Sequence, residues 1–149
     1  METELAKDFK EFLRSLNANG VRYLLIGGYA VGFHGYPRAT NDLDVFVAKD
    51  SDNARRLVTC LEEFGFAAVA ELSEELFTQE KSIVRIGVEP IKIEIANFIS
   101  GVEFEEAYKD RIIGVINEIE VSLISLHHLK INKKASGRYK DLNDLENLP

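Results

Sequence analysis

Apolar and polar residues recur with two different periods along this chain, and each change of period marks a new element. From Glu2 to Asn17 the apolar residues Leu5, Phe9, Phe12, Leu13 and Leu16 return every three or four positions, and Gly20 follows. That is the stripe of an amphipathic helix with its stop signal. Val21 to Ile26 is a short run of large apolar side chains ending at Gly27-Gly28, suited to a buried strand. The pattern then predicts a short helix or turn from Tyr29 to Gly35, a loop over Pro37-Arg38-Ala39-Thr40-Asn41, and an alternating strand from Asp42 to Val47. Asp50-Ser51-Asp52 can cap a helix running to Phe64, with Leu57, Val58, Leu61 and Phe64 on one face and Gly65 as its stop.

Strand patterns dominate the next stretch. Phe66 to Val69, Ile83 to Gly87 and Ile91 to Ala96 alternate or run apolar, the last two joined by a hairpin-like Val88-Glu89-Pro90. Phe104 to Arg111 reads as a short helix, and Ile112 to Ile116 with Ile119 to Leu123 flank Asn117-Glu118 as a second hairpin. Two helices follow, Ser125 to Ser136 and Lys140 to Leu148, with Gly137 between them. Strands and helices mixed around one core give the class α+β, or mixed α/β: a central mixed sheet flanked by helices, in one domain over 1–149.

Composition narrows the class. Of 149 residues, 46% are apolar and 29% charged, which excludes a disordered, fibrous or membrane chain. Cys60 stands alone, so neither a disulfide nor a thiolate metal cluster holds the fold. A net charge of −7 argues against gripping nucleic acid through bulk charge, although a local basic patch remains open. No apolar run approaches the ~20 residues of a membrane span, and the charged first segment is unlike a secretory signal. The expectation is a cytoplasmic protein with no membrane partner.

The chemistry begins at Asp42-Leu43-Asp44-Val45. Successive side chains of a strand point to opposite faces, so the two carboxylates share one face while Leu43 and Val45 turn to the core. Like charges placed together repel, and a divalent cation with oxygen ligands, Mg²⁺ above all, is the usual compensation. Ile91-Lys92-Ile93-Glu94-Ile95 alternates in the same way and offers Glu94 as a third carboxylate if the two strands are neighbours. Taken singly, each feature has a plainer reading, since Asp-x-Asp can be a solvated edge and Gly-Gly a tight turn. Their order along the chain changes the weight.

In that order, Ile26-Gly27-Gly28, thirteen residues, then Asp42-Leu43-Asp44-Val45, the chain resembles the DNA polymerase β-like nucleotidyltransferases. Within that superfamily it is most similar to small stand-alone members related to the AbiEii toxin group. These also carry a segment like Pro37-Arg38-Ala39-Thr40 and a C-terminal stretch like Lys133, Gly137-Arg138 and Lys140-Asp141-Leu142-Asn143-Asp144. The resemblance implies that Asp42, Asp44 and Glu94 are catalytic and hold two Mg²⁺ ions when a nucleoside triphosphate is bound. It implies nucleotide contacts from Gly27, Gly28, Arg38, Thr40, Lys133 and Arg138. Transfer of a nucleoside monophosphate to a hydroxyl of RNA, protein or a small molecule follows as the expected activity. A homodimer groove or an antitoxin partner is then an open possibility for specificity.

Several residues keep two readings. Arg38 can bind phosphate or face water; Tyr29 can be core or a base-stacking ring; His34 suits packing or a surface. Asp141 and Asp144 can cap a helix or pair with the bases around them. Between Leu126 and Lys140 stand Lys130, Lys133, Lys134, Arg138 and Lys140 without an acid, the best candidate for a phosphate-facing patch, although Lys130 and Lys134 suit a solvated face. The competing class is a non-catalytic nucleotide-binding or toxin–antitoxin interaction protein that retains the fold.

Overall fold

Phe9, Phe12, Leu13 and Leu16 are all buried on one side of helix α1 (Lys7–Ala18), and each contributes about 1.5–3 kcal/mol by leaving water. The structure is a computed structural model that describes residues 6–66, 72–87 and 92–149. From α1 the chain enters β1 (Tyr23–Ile26), passes directly into α2 (Gly27–Phe33), and returns as β2 (Asp42–Val47). Helix α2 thus begins at the Gly-Gly pair itself, two residues before the sequence pattern places it, because Gly27 takes a left-handed φ of 70° and turns the chain at once. Helix α3 (Ser51–Leu61) is capped by Asp50, whose carboxylate accepts from the Asn53 backbone N–H at 3.0 Å.

Gly65 does not end that helix cleanly, since a π-helical turn, Glu62–Phe66, continues it. Phe66 therefore lies in a helical turn rather than at the start of a strand, and the rest of the strand expected to Val69 lies outside the described residues, as does the turn at Val88-Glu89-Pro90. A one-turn helix α4 (Glu75–Thr78), absent from the sequence reading, precedes β3 (Ile83–Ile86) and β4 (Lys92–Ala96). Buried Asn97 fastens this region: it donates to the Phe77 and Gln79 carbonyls and accepts from the Ser82 N–H. Helix α5 (Phe104–Lys109) leads to the hairpin β5 (Ile112–Ile116) and β6 (Ile119–Leu123), whose turn residues Asn117 and Glu118 both have positive φ. That is the signature of a two-residue I′ turn. Helices α6 (Leu126–Ser136) and α7 (Tyr139–Asn147) follow and pack on each other.

Six strands form one mixed sheet in the order β3-β4-β2-β1-β6-β5. Pairs β4–β2 and β1–β6 are parallel, while β3–β4, β2–β1 and β6–β5 are antiparallel. On one face Leu43, Val45 and Val47 join Tyr23, Leu25, Ile93 and Ile95 in the core. The opposite face of β2 and β4 carries the acids. Residues left open by the sequence also find places: Tyr29 is buried edge-on against Phe9, and His34 Nε2 lies 2.7 Å from the Ile124 carbonyl oxygen. Cys60 is buried, with its thiol pushed up to about 11 by burial. Among the described residues no helix is long and apolar enough to cross a membrane.

Candidate active site

Asp44 lies at the crossing of three strands. Its partner in the antiparallel β1–β2 register is Ile26, the last residue before Gly27, and its partner in the parallel β2–β4 register is Glu94. Glu94 in turn faces Arg85 across β3–β4, and Arg85 Nε donates to Glu94 Oε2 at 3.2 Å. Residues directly opposite in a sheet share a face, so Asp44, Glu94 and Arg85 stand together, with Asp42 one pleat earlier on the same side.

Burial and neighbouring like charges both weaken the acidity of Asp44. Burial pushes its carboxyl up from 3.8 to about 6, and the charges of Glu94 and Asp42 push the same way, while Lys140 and Lys133 oppose them. Gly27 brings main chain against this carboxylate: a Cβ there would stand 2.2 Å from Asp44 Oδ2. Gly28 is tight for a different reason. A Cβ on it would come within 2.6 Å of Thr40 Oγ1 and 3.2 Å of Arg38 Nη1, so the loop before β2 folds onto the Gly-Gly turn. Thr40 Oγ1 donates to the Asp42 carbonyl at 3.3 Å.

Above the acids lies a cavity of about 430 Å³ lined on one side by Gly27, Asp42, Asp44 and Glu94 and on the other by Lys133, Arg138 and Lys140. The C-terminal helices thus bring cations to the carboxylate pocket. Their bases are not equally available, however. Lys133 is only 5% exposed, and its Nζ lies 3.2 Å from Asp141 Oδ1 and 3.0 Å from Asp144 Oδ2. Arg38 gives Nε and Nη2 to the two oxygens of Asp144, at 2.7 and 2.8 Å. Arg138 donates to Asp141 at 2.7 Å but keeps a side chain 74% exposed. Arg38 and Lys133, both expected from the sequence as nucleotide contacts, are therefore engaged by buried aspartates. Asp141 and Asp144 both pair with bases, and Asp141 also accepts from the Arg138 backbone N–H at the start of α7.

Arg85, to which the sequence pattern assigns no role, and Lys140 also belong to this pocket. Arg85 reaches it because β3 pairs with β4, the hairpin that the two strand patterns predict, and stands opposite Glu94 in that register. Lys140, one of the bases of the expected phosphate-facing patch, follows the turn at Gly137 and lines the cavity. A second cavity of about 690 Å³ adjoins the first, and both are walled by Phe98, Ile99 and Ser100.

The donor set of the acid cluster is carboxylate oxygen without His or Cys, which suits a hard divalent cation such as Mg²⁺ better than zinc or copper. Among the described residues no three His, Cys, Asp or Glu side chains already converge as a ready-made metal cage. The fit is that of two or three acids on adjacent strands whose mutual repulsion a cation would relieve, with the remaining ligands coming from a phosphate or water.

A mixed sheet with a Gly-Gly turn at the end of one strand and paired acids on the next is the arrangement that the resemblance to nucleotidyltransferases implies. The chain belongs to the family described as nucleotidyltransferase of unknown function (DUF6036), whose model matches residues 3–148. Among solved structures, a Thermotoga maritima protein assigned as a nucleotidyltransferase is similar at 16% identity with a TM-score of 0.63, over 93% of this chain and 88% of that one. The antibiotic-resistance factor ANT(2″)-Ia is similar at 12% identity with a TM-score of 0.60, over 93% of this chain and 79% of that one. At these identities the likeness is one of fold. No curated protein matches the chain.

Proposed function

We propose that this chain is a metal-dependent nucleotidyltransferase acting as a single domain, with Asp42, Asp44 and Glu94 as its cation-binding carboxylates. The observation that carries the reading is the register of Asp44 with Glu94 beside Gly27, whose main chain packs against the Asp44 carboxylate. In the reaction a hydroxyl oxygen of the acceptor bonds to the α-phosphorus, the bond to the β-phosphate oxygen breaks, and pyrophosphate leaves in line. A pair of Mg²⁺ ions bound with the triphosphate would offset its charge and that of the departing pyrophosphate. Glu94, on the strand farther from the Gly-Gly turn, is placed to take the acceptor's proton. Gly27 and Gly28 let Asp44 and the loop carrying Thr40 pack directly on the turn, and main-chain N–H groups there are candidates for phosphate contact. Arg138 and Lys140, exposed cations on the far wall, are suited to the phosphate chain.

The neighbouring cavity beyond Phe98–Ser100 offers room for an acceptor that enters beside the triphosphate. Pro37–Thr40 and Lys140–Asp144 support a place near the AbiEii-type toxins, with RNA or protein as the acceptor and the cytoplasm, where nucleoside triphosphates are abundant, as the setting. The test is incubation with each α-labelled ribonucleoside triphosphate, Mg²⁺, and either total cellular RNA or cell protein. Label carried onto one acceptor class, and lost with Asp44→Asn, is the expected result. Triphosphate binding without transfer to any acceptor would favour a binding protein that retains the fold.

A further inference from the structure

Five charged side chains form a continuous series behind the pocket. Arg38, in the loop before β2, grips both oxygens of Asp144 on α7. Asp144 is 0% exposed and also meets Lys133 of α6, which meets Asp141, which meets Arg138. Signs alternate along the series, so every buried charge has a partner of opposite sign. Burying ions in this way is a poor route to stability, because well-packed apolar side chains of the same volume commonly do as well or better. What such a series supplies instead is fixed geometry, since a guanidinium held through two N–H groups on one carboxylate has little freedom left.

The geometry it fixes is that of the site. At one end, Arg38 Nη1 and Thr40 Oγ1 press on Gly28, and the same loop runs into Asp42. At the other end, Lys133 and Arg138 line the carboxylate cavity. Asp144 ties the loop, α6 and α7 together.

Building on the nucleotidyltransferase reading, we infer that Asp144 is a positioning residue of this site: through its two-pronged hold on Arg38 it sets the 37–41 loop against Gly28, and through Lys133 it registers the C-terminal helices to the pocket. Arg38 is accordingly a strut, and its effect on nucleotide affinity passes through loop position. The C-terminal helix pair is part of the working site although neither helix contributes a strand or an acid to the carboxylate cluster.

The experiment measures affinity for the four ribonucleoside triphosphates with Mg²⁺ by calorimetry, with pyrophosphate release beside it, at a temperature well below the melting point of every variant. Asp144→Asn keeps the shape and removes the charge. It should weaken triphosphate binding by about tenfold or more, and loss of transfer can reach about a hundredfold when reacting groups are misplaced by an ångström. Arg38→Lys keeps the charge and loses the fork, and it should resemble Arg38→Ala rather than the parent. The double variant Arg38→Ala with Asp144→Ala should be no worse than Asp144→Ala alone, because the two act as one unit. Should Asp144→Asn fail to fold, Arg38→Lys carries the test, since its side chain sits at the edge of the series. Parent-like affinity and turnover in Arg38→Lys, or fully additive losses in the double variant, would overturn the inference while leaving the functional reading intact. A parent protein that binds no triphosphate would remove both.

Discussion

Asp42, Asp44 and Glu94 on the sheet and Asp141 and Asp144 on α7 line or adjoin the same small space, yet the two sets are built on opposite electrostatics. On the sheet, burial and neighbouring carboxylates push Asp44 up to about 6. On the helix, burial also pushes Asp141 upward, but hydrogen bonds from Arg138 and Ser136 and the charge and hydrogen bond of Lys133 outweigh it and hold the carboxyl well below its ordinary range. For Asp144 the hydrogen bonds of Arg38 and Lys133 likewise outweigh burial. Burial is common to both sets; the partners differ. A carboxylate given cations from its own chain is committed to structure. One surrounded by its own kind is left able to take a cation or phosphate-bound metal from outside, and this difference separates candidate ligands from struts.

The largest effect that would break this contrast is on turnover. Asp44→Asn preserves shape and removes one of the repelling charges, so transfer should fall by a factor on the order of a thousand, as when a principal electrostatic contact to the reacting phosphate is lost. Folding should not suffer. If instead the variant transfers normally, the sheet acids are not the site, whatever their register.

On the helix side the corresponding change should damage the fold. Lys133→Met removes the charge shared by Asp141 and Asp144 and leaves each buried carboxylate with a single arginine partner. Breaking a buried pair in this way costs about 3–5 kcal/mol, readable as a lower denaturant midpoint with an unchanged slope. A loss below ~1 kcal/mol would show that Arg38 and Arg138 alone satisfy the two aspartates and that Lys133 is held for another purpose.

A third effect separates the two sets by pH. Asp44 is raised in the folded protein, so folding is favoured by its protonated form; that contribution is complete below 3.8 and is lost as pH rises through about 6. Asp141 and Asp144 are lowered, so their contribution is present above 3.8 and is lost as pH falls below it. Melting curves of the parent and Asp44→Asn, without divalent ions, should therefore coincide near pH 3.5 and diverge up to about pH 6.5, the variant ending more stable by on the order of 2–3 kcal/mol. Mg²⁺ should raise the parent's midpoint above pH 6 and leave the variant's unmoved. A difference that is flat across this range would mean that Asp44 titrates normally.

How much of the contrast can be read from the chain depends on whether its cause is local. Alternation in Asp42-Leu43-Asp44-Val45 and in Ile93-Glu94-Ile95 already assigns the acids to the polar face, because strand geometry leaves no other choice. The fold class follows from the same periodicity, and most of its elements are found within a residue or two. The fate of Lys133 and Arg138 is different. Both are basic residues in a basic stretch, and nothing in the stretch says that Lys133 turns inward while Arg138 stays 74% exposed. That depends on how α7 folds back after Gly137 and on Arg38, about a hundred residues earlier, reaching Asp144. The start of α2 at Gly27 is hidden for a simpler reason: two glycines read as a break, whereas the positive φ of Gly27 turns the chain and lets helix begin there.

Arg85 offers the smallest expected effect and the finest test of what the sheet acids are for. Its Nε lies 3.2 Å from Glu94 Oε2, with the arginine 69% and the glutamate 35% exposed. An ion pair this open to water contributes about 0–1 kcal/mol, so Arg85→Ala should barely move the denaturant midpoint. Arg85 nonetheless competes for the carboxylate assigned to a cation. Removing it frees Glu94, and Mg²⁺ affinity measured at low salt should stay the same or tighten slightly, the difference fading as added salt screens the arginine. A loss of Mg²⁺ or triphosphate affinity would reverse the roles, making Arg85 a phosphate contact and Glu94 its holder. Glu94 would then move from the set of open carboxylates to the set of paired ones, and Asp42 and Asp44 would be left to hold a cation without it.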